Sequence, residues 1–132
     1  KSHNKVIQGD GIIANAYMGR ANCKAGKGYL KEAIKDYTKA ITLNQKYISA
    51  YIGRGNVYKK LDYDKKALED YTLALEIEPN SPHALLNRGL IYKSMSQNVK
   101  AVKDLEKFLE ISPRGKLAQS VKSWLKTQTK EQ

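Results

Sequence analysis

After a short polar break, GKG at 26–28, the apolar positions Ala33, Ile34, Tyr37, Ala40 and Ile41 fall at steps of one, four, seven and eight. Such spacing lines one face of an α-helix, whereas a strand would require alternation. The pattern returns at Ala67, Leu68, Tyr71, Ala74 and Leu75, after DYD at 62–64. It returns again, with larger side chains, at Ala101, Val102, Leu105, Phe108 and Leu109, after SQN at 96–98. A second apolar pattern of helical period precedes each break, so the chain predicts a series of helical hairpins.

The hairpins share one interval. Arg20, Arg54 and Arg88 are spaced by 54 − 20 = 34 residues, as are Ala33, Ala67 and Ala101, and Asp36, Asp70 and Asp104. Self-similarity at this period marks stacked supersecondary units, none of which buries its apolar face alone. We place the units at 14–47, 48–81 and 82–115. Ala21, Gly55 and Gly89 recur on the first helix of each unit. A glycine inside a helix costs about 1 kcal/mol against alanine, so its return implies a close helix crossing. Pro79 and Pro113 are expected to end second helices, because proline has no backbone donor and restricts the residue before it; Gln45 stands at this place in the first unit.

A small residue at the eighth position, alanine at the twentieth, an aromatic at the twenty-fourth and proline at the thirty-second together resemble the tetratricopeptide repeat family. The resemblance spans the three units, about four-fifths of the chain. It implies an all-α fold, a right-handed superhelical solenoid of three helix-turn-helix units plus a C-terminal capping helix. Residues 116–132 suit that cap, with Leu117, Val121, Trp124 and Leu125 on one face. The departures are Lys24 where Tyr58 and Tyr92 stand, Leu105 where Tyr37 and Tyr71 stand, and Phe108 where Ala40 and Ala74 stand. Phe108 is expected to pack on the terminal helix. At the other end, KVIQGD at 5–10 is similar to KAITLN at 39–44, so we read 1–13 as the remnant of a preceding repeat. The first residue is Lys1 rather than Met, which fits a segment of a longer protein.

The net charge of +11 changes the picture only through its distribution. Residues 14–47 carry seven basic and two acidic groups, 48–81 five and six, and 82–115 six and three. A near-neutral middle unit interrupts any continuous basic stripe, so a lysine-rich solvated surface is preferred to the alternative of a basic nucleic-acid-binding repeat. The recurring arginines and aspartates suggest bidentate pairs between helices rather than anion ligands. No catalytic, cofactor-binding or metal-binding residue is expected. His3 and His83 are far apart in sequence, no Cys/His cluster has ligand spacing, and GKG has neither the preceding strand nor the following Lys-Ser/Thr of a phosphate loop. Cys23, the only cysteine, is expected to be a buried inert thiol. With no membrane-spanning stretch and no signal segment, an intracellular, cytoplasmic setting is expected.

The resemblance also implies where a partner sits. In this family the first helix of each unit lines an inner wall, and the matching positions nominate Asn15, Met18 and Asn22 in the first unit. Ile52, Asn56, Lys59 and Lys60 follow in the second, then His83, Leu86, Asn87, Leu90 and Lys93 in the third. Met18, Ile52 and Leu86 would form an apolar stripe, Asn22 and Asn56 an amide ladder, and the lysines a positive edge. Together they predict a scaffold that binds a peptide or helix of a partner protein bearing apolar anchors and some acidic residues. Some relatives clamp the acidic carboxyl terminus of heat-shock chaperones with lysine, arginine and asparagine. Those clamp positions fall here on Met18, Asn22, Gly53, His83 and Asn87, or one unit later on Ile52, Asn56, Asn87, Leu117 and Val121. Neither register supplies the cations, which argues against a chaperone adaptor.

Overall fold

In the computed structural model, residues 2–130 are described in backbone and residues 11–128 in side chain. Every regular element among them is a helix: α1 (Ser2–Lys27), α2 (Leu30–Leu43), α3 (Ile48–Lys60), α4 (Asp64–Ile77), α5 (Pro82–Ser94), α6 (Asn98–Ile111) and α7 (Lys116–Lys130). Antiparallel pairs α1/α2, α3/α4 and α5/α6 are the three hairpins, and α7 follows the last of them. The side chains on which the expected remnant at 1–13 mainly rests lie outside the described residues; the backbone of α1 runs through that stretch without a break.

Each hairpin turns in the same way. Gly28, Asp62 and Ser96 have φ of 90°, 65° and 62°, the left-handed region that reverses a helix end. The next residue closes the turn, with Tyr29, Tyr63 and Gln97 donating N–H to the carbonyls of Lys24, Tyr58 and Tyr92, all at 2.8 Å. The second helices end in register at Leu43, Ile77 and Ile111. Proline is therefore not required for the stop. In the first unit, where Gln45 stands at the proline position, Asn44 Oδ1 accepts the N–H of Lys46 at 3.1 Å in a local turn.

Ala33, Ala67 and Ala101 are fully buried where the two helices of a hairpin cross. Opposite them the backbone approaches so closely that a Cβ added at Gly55 would lie 2.8 Å from Tyr71 Cε1, and one at Gly89 2.7 Å from Leu105 Cδ2. The recurrent small residue is thus a steric requirement of the large side chain facing it. Phe108 packs with Ala118 and Val121 of the terminal helix, Trp124 and Leu125 flanking them. Ala40 and Ala74 leave room for the next hairpin, and Phe108 fills the wider joint beneath the cap.

Successive hairpins stack through α2 on α3 and α4 on α5. In addition α1 touches α3 and α3 touches α5, whereas α2 and α4, or α4 and α6, do not approach at that range. The first helices therefore form the shorter, inner wall of a curved stack, and the second helices its outer wall.

An ion pair crosses each hairpin at the same place. Arg20 donates from Nε and Nη2 to Asp36, both at 2.8 Å. Arg54 donates to Asp70 at 2.9 and 2.7 Å, and Arg88 to Asp104 at 2.7 and 2.8 Å. A third nitrogen reaches back to the preceding hairpin, Arg54 Nη1 to Thr38 at 3.0 Å and Arg88 Nη1 to Thr72 at 3.3 Å. In the first unit Lys24, standing where the others have tyrosine, adds a second cation 3.1 Å from Asp36.

These pairs predict a graded response. Asp70 is only 2% exposed, so Arg54→Met strands a buried charge and is expected to cost about 3–5 kcal/mol in chemical denaturation. Arg20→Met, at a side chain that is 59% exposed, should cost less. A loss at Arg54 no greater than at Arg20 would contradict the buried bridge. The Arg20 hydrogen bond outweighs burial and holds the Asp36 carboxyl below its ordinary 3.8. Its contribution is therefore complete at pH above that value and disappears as pH falls through the depressed one. The stability difference between the parent and Arg20→Met should accordingly shrink in acid, as urea titrations from pH 7 to about 2.5 would reveal.

Candidate functional site

The inner wall is marked by what it lacks. Among the described side chains, no aspartate or glutamate lies on α1, α3, α5 or α7, and the carboxylates sit on the second helices and in loops. The basic groups of the first helices divide into two sets. Arg20, Arg54 and Arg88 are committed to the buried aspartates, as is Lys24. Lys27, Lys59 and Lys60 are not among the ion pairs of the described residues, and Lys93 lies over the Trp124 ring at 5.3 Å rather than beside a carboxylate. The wall thus presents uncompensated positive charge.

The asparagines are oriented from behind. Tyr37 donates its hydroxyl hydrogen to Asn22 Oδ1 at 2.6 Å, and Tyr71 donates to Asn56 Oδ1. Burial raises both phenols above their ordinary value of 10, so both remain O–H donors. With its oxygen engaged, each amide keeps its N–H₂ as the group left to donate. Asn87 Nδ2 also donates to Asn56 Oδ1, at 3.1 Å, which leaves the Asn87 oxygen as an acceptor. Asn15 accepts from Tyr47 at 2.7 Å across the first joint. These exposed or half-buried amides suit the N–H and C=O groups of a partner backbone.

The third unit breaks this pattern as a pair. Leu90 stands where Asn22 and Asn56 stand, and Leu105 where Tyr37 and Tyr71 stand, so donor and acceptor have been exchanged together for two aliphatic side chains. The coupled change shows in the sequence as two departures at linked positions, 90 and 105.

The expected residues do not all reach the open surface. Asn15, Asn22, Asn56, Lys60, His83 and Lys93 are exposed, and Ile52, Lys59, Asn87 and Leu90 are half-buried. The apolar stripe requires correction, because Met18 is 8% exposed and Leu86 6%. Met18 packs with Ala21, Tyr37, Ala40 and Ala50, and Leu86 with Leu85, Leu105, Ala118 and Val121. That repeat position points into the joint between one unit and the next. Cys23 is a second correction, being exposed. Its counterparts Val57 and Ile91 are buried under the second helix of the unit before, and no described helix covers Cys23 in that way. Among the described residues no cluster of three potential metal ligands occurs, and no helix is long and apolar enough to cross a membrane.

Comparison with known proteins places this geometry. A family model described as tetratricopeptide repeat matches residues 55–126, and one described as TPR repeat matches residues 24–62. The TPR domain of Arabidopsis OM64 is similar with a TM-score of 0.85 and 24% identity, over 90% of this chain and 98% of that one. The first TPR of Spaghetti (RPAP3), solved with a bound HSP90 peptide SRMEEVD, gives a TM-score of 0.80 and 23% identity over 87% and 94%. MamA protein gives 0.71 and 31% over 76% and 55%. No curated protein matches the chain.

Proposed function

The chain belongs to the tetratricopeptide repeat family, a family of protein-interaction modules, and we propose that its acid-free inner wall holds an acidic segment of a partner protein. The observation that carries this reading is the partition of charge: carboxylates on the outer helices, unpaired lysines and oriented amides on the inner ones. An extended segment would offer its backbone to Asn22, Asn56 and Asn87 and its carboxylates to Lys59, Lys60 and Lys93. Electrostatic complementarity of this kind selects partners and speeds their encounter, and it weakens with added salt.

A chaperone-tail receptor of the kind seen with SRMEEVD is a poorer fit. That reading requires cations where Met18, His83 and Asn87 stand, and the buried Met18 offers nothing to a carboxylate. The SRMEEVD peptide is therefore expected to bind at least about tenfold more weakly than acidic peptides selected on this chain from a displayed random library. Triple charge reversal, Lys59→Glu with Lys60→Glu and Lys93→Glu, should reduce affinity for the selected peptides about tenfold or more while leaving the melting temperature within a few degrees. Fluorescence polarisation on labelled peptides measures both. Selected sequences without an excess of Asp and Glu, or affinity unchanged by the reversal, would refute the acidic-partner reading.

A further inference from the structure

Where the third unit meets the cap, the inner wall opens into an apolar cavity. Leu90 and Leu105 form one side, Leu117, Val121 and Trp124 of α7 the other, and Lys93 stands at the rim. Its volume is about 170 Å³. Apolar cavities of roughly 150 Å³ take up a guest the size of benzene, so this one has room for a single large side chain.

Two features of the chain produce it. The first is the paired exchange already described. In the second unit the space facing Gly55 is occupied by Tyr71, whose hydroxyl is bonded to Asn56. In the third, Gly89 keeps its close approach but faces the shorter Leu105, and Leu90 adds a greasy wall where an amide would be. The second feature is the seating of α7. It follows a bend at Gly115, φ +108°, and contacts α6 far less extensively than α3 contacts α2 or α5 contacts α4. The gap beside α5 remains open, and Leu117 on its lip is 60% exposed.

Building on the acidic-peptide reading, we propose that this cavity is the anchor pocket of the groove, taking one large aliphatic side chain of the acidic segment. Charge complementarity specifies the occupant. The pocket itself is apolar, but Lys93 in its lining, with Lys59 and Lys60 at the end of α3 in the preceding unit, favours a residue flanked by carboxylates. An uninterrupted hydrophobic helix would leave those ammonium groups desolvated without partners. The groove then reads its ligand in two chemistries: amides and lysines along the first two units, and a greasy socket at the end of the third. Trp124, the only tryptophan of the chain, lines the socket and reports on it directly.

The test is a comparison of peptides selected from a displayed random library on two forms of the chain. In Leu90→Asn/Leu105→Tyr the third unit regains the residues of the second, and Gly89 supplies the space that Tyr71 uses opposite Gly55. The parent is expected to select acidic peptides enriched in Leu, Ile or Met at one position, with Trp124 emission shifting on binding. Replacing that residue by Ser in a selected peptide should weaken binding about ten- to hundredfold. The filled variant should still select acidic sequences but lose the aliphatic enrichment and the penalty for Ser. If that variant does not fold, Leu117→Asp on the exposed lip serves instead, with the same losses expected. Acidic peptides selected by the parent without aliphatic enrichment, or with no response of Trp124, would overturn the anchor pocket and leave the acidic-partner reading standing. Failure to select acidic peptides at all would overturn both.

Discussion

A carboxylate lodged between two helices, at 2–5% exposure, is tolerated only when a cation reaches it. Three such carboxylates recur here, and meeting their need organises the rest of the molecule. Each draws one arginine from the facing helix into a bidentate bond, which fixes the rotation of the two helices about their axes. That rotation sets the small residue of the first helix, Gly55 or Gly89, against the large side chain facing it, Tyr71 or Leu105. Since the acid is always on the second helix and the arginine always on the first, the stack acquires an electrical polarity across its thickness. The inner wall retains only cations that no aspartate has claimed.

Much of this was legible in the sequence because it is written three times. One hairpin would have offered a helix-period stripe and little else; three in register turned Arg20, Asp36 and Ala33 into positions whose constancy required a common cause. The polar breaks foretold the turns, and the bulk of Phe108 foretold the different joint under the cap. The failures have a common cause as well. Whether Met18, Leu86 or Cys23 is covered depends on the neighbour above or below, which repeat position alone does not encode. Met18 and Leu86 lie in joints closed by the following helix, while Cys23 lies where the described chain offers no preceding second helix. The second helices do end just before Pro79 and Pro113, and α2 ends in the same register with Gln45 at that place.

The third unit illustrates how a repeat is specialised without losing its register. Exchanging an Asn–Tyr pair for Leu–Leu leaves no buried side-chain nitrogen or oxygen unpartnered among the described residues, since donor and acceptor leave together. Exchanging only one would have stranded the other. The structure thereby changes the chemistry of one stretch of the groove while the braces, turns and glycine crossing stay as they were.

The backward reach of Arg54 and Arg88 to Thr38 and Thr72 has a bearing on how the stack holds together. In linear arrays, cohesion is governed by the balance between what each module contributes and what its seam with the next contributes. Here one guanidinium serves both, so a hairpin that loosens withdraws a clasp from its predecessor in the same act. Such sharing favours an array that opens as one body over one that peels apart module by module.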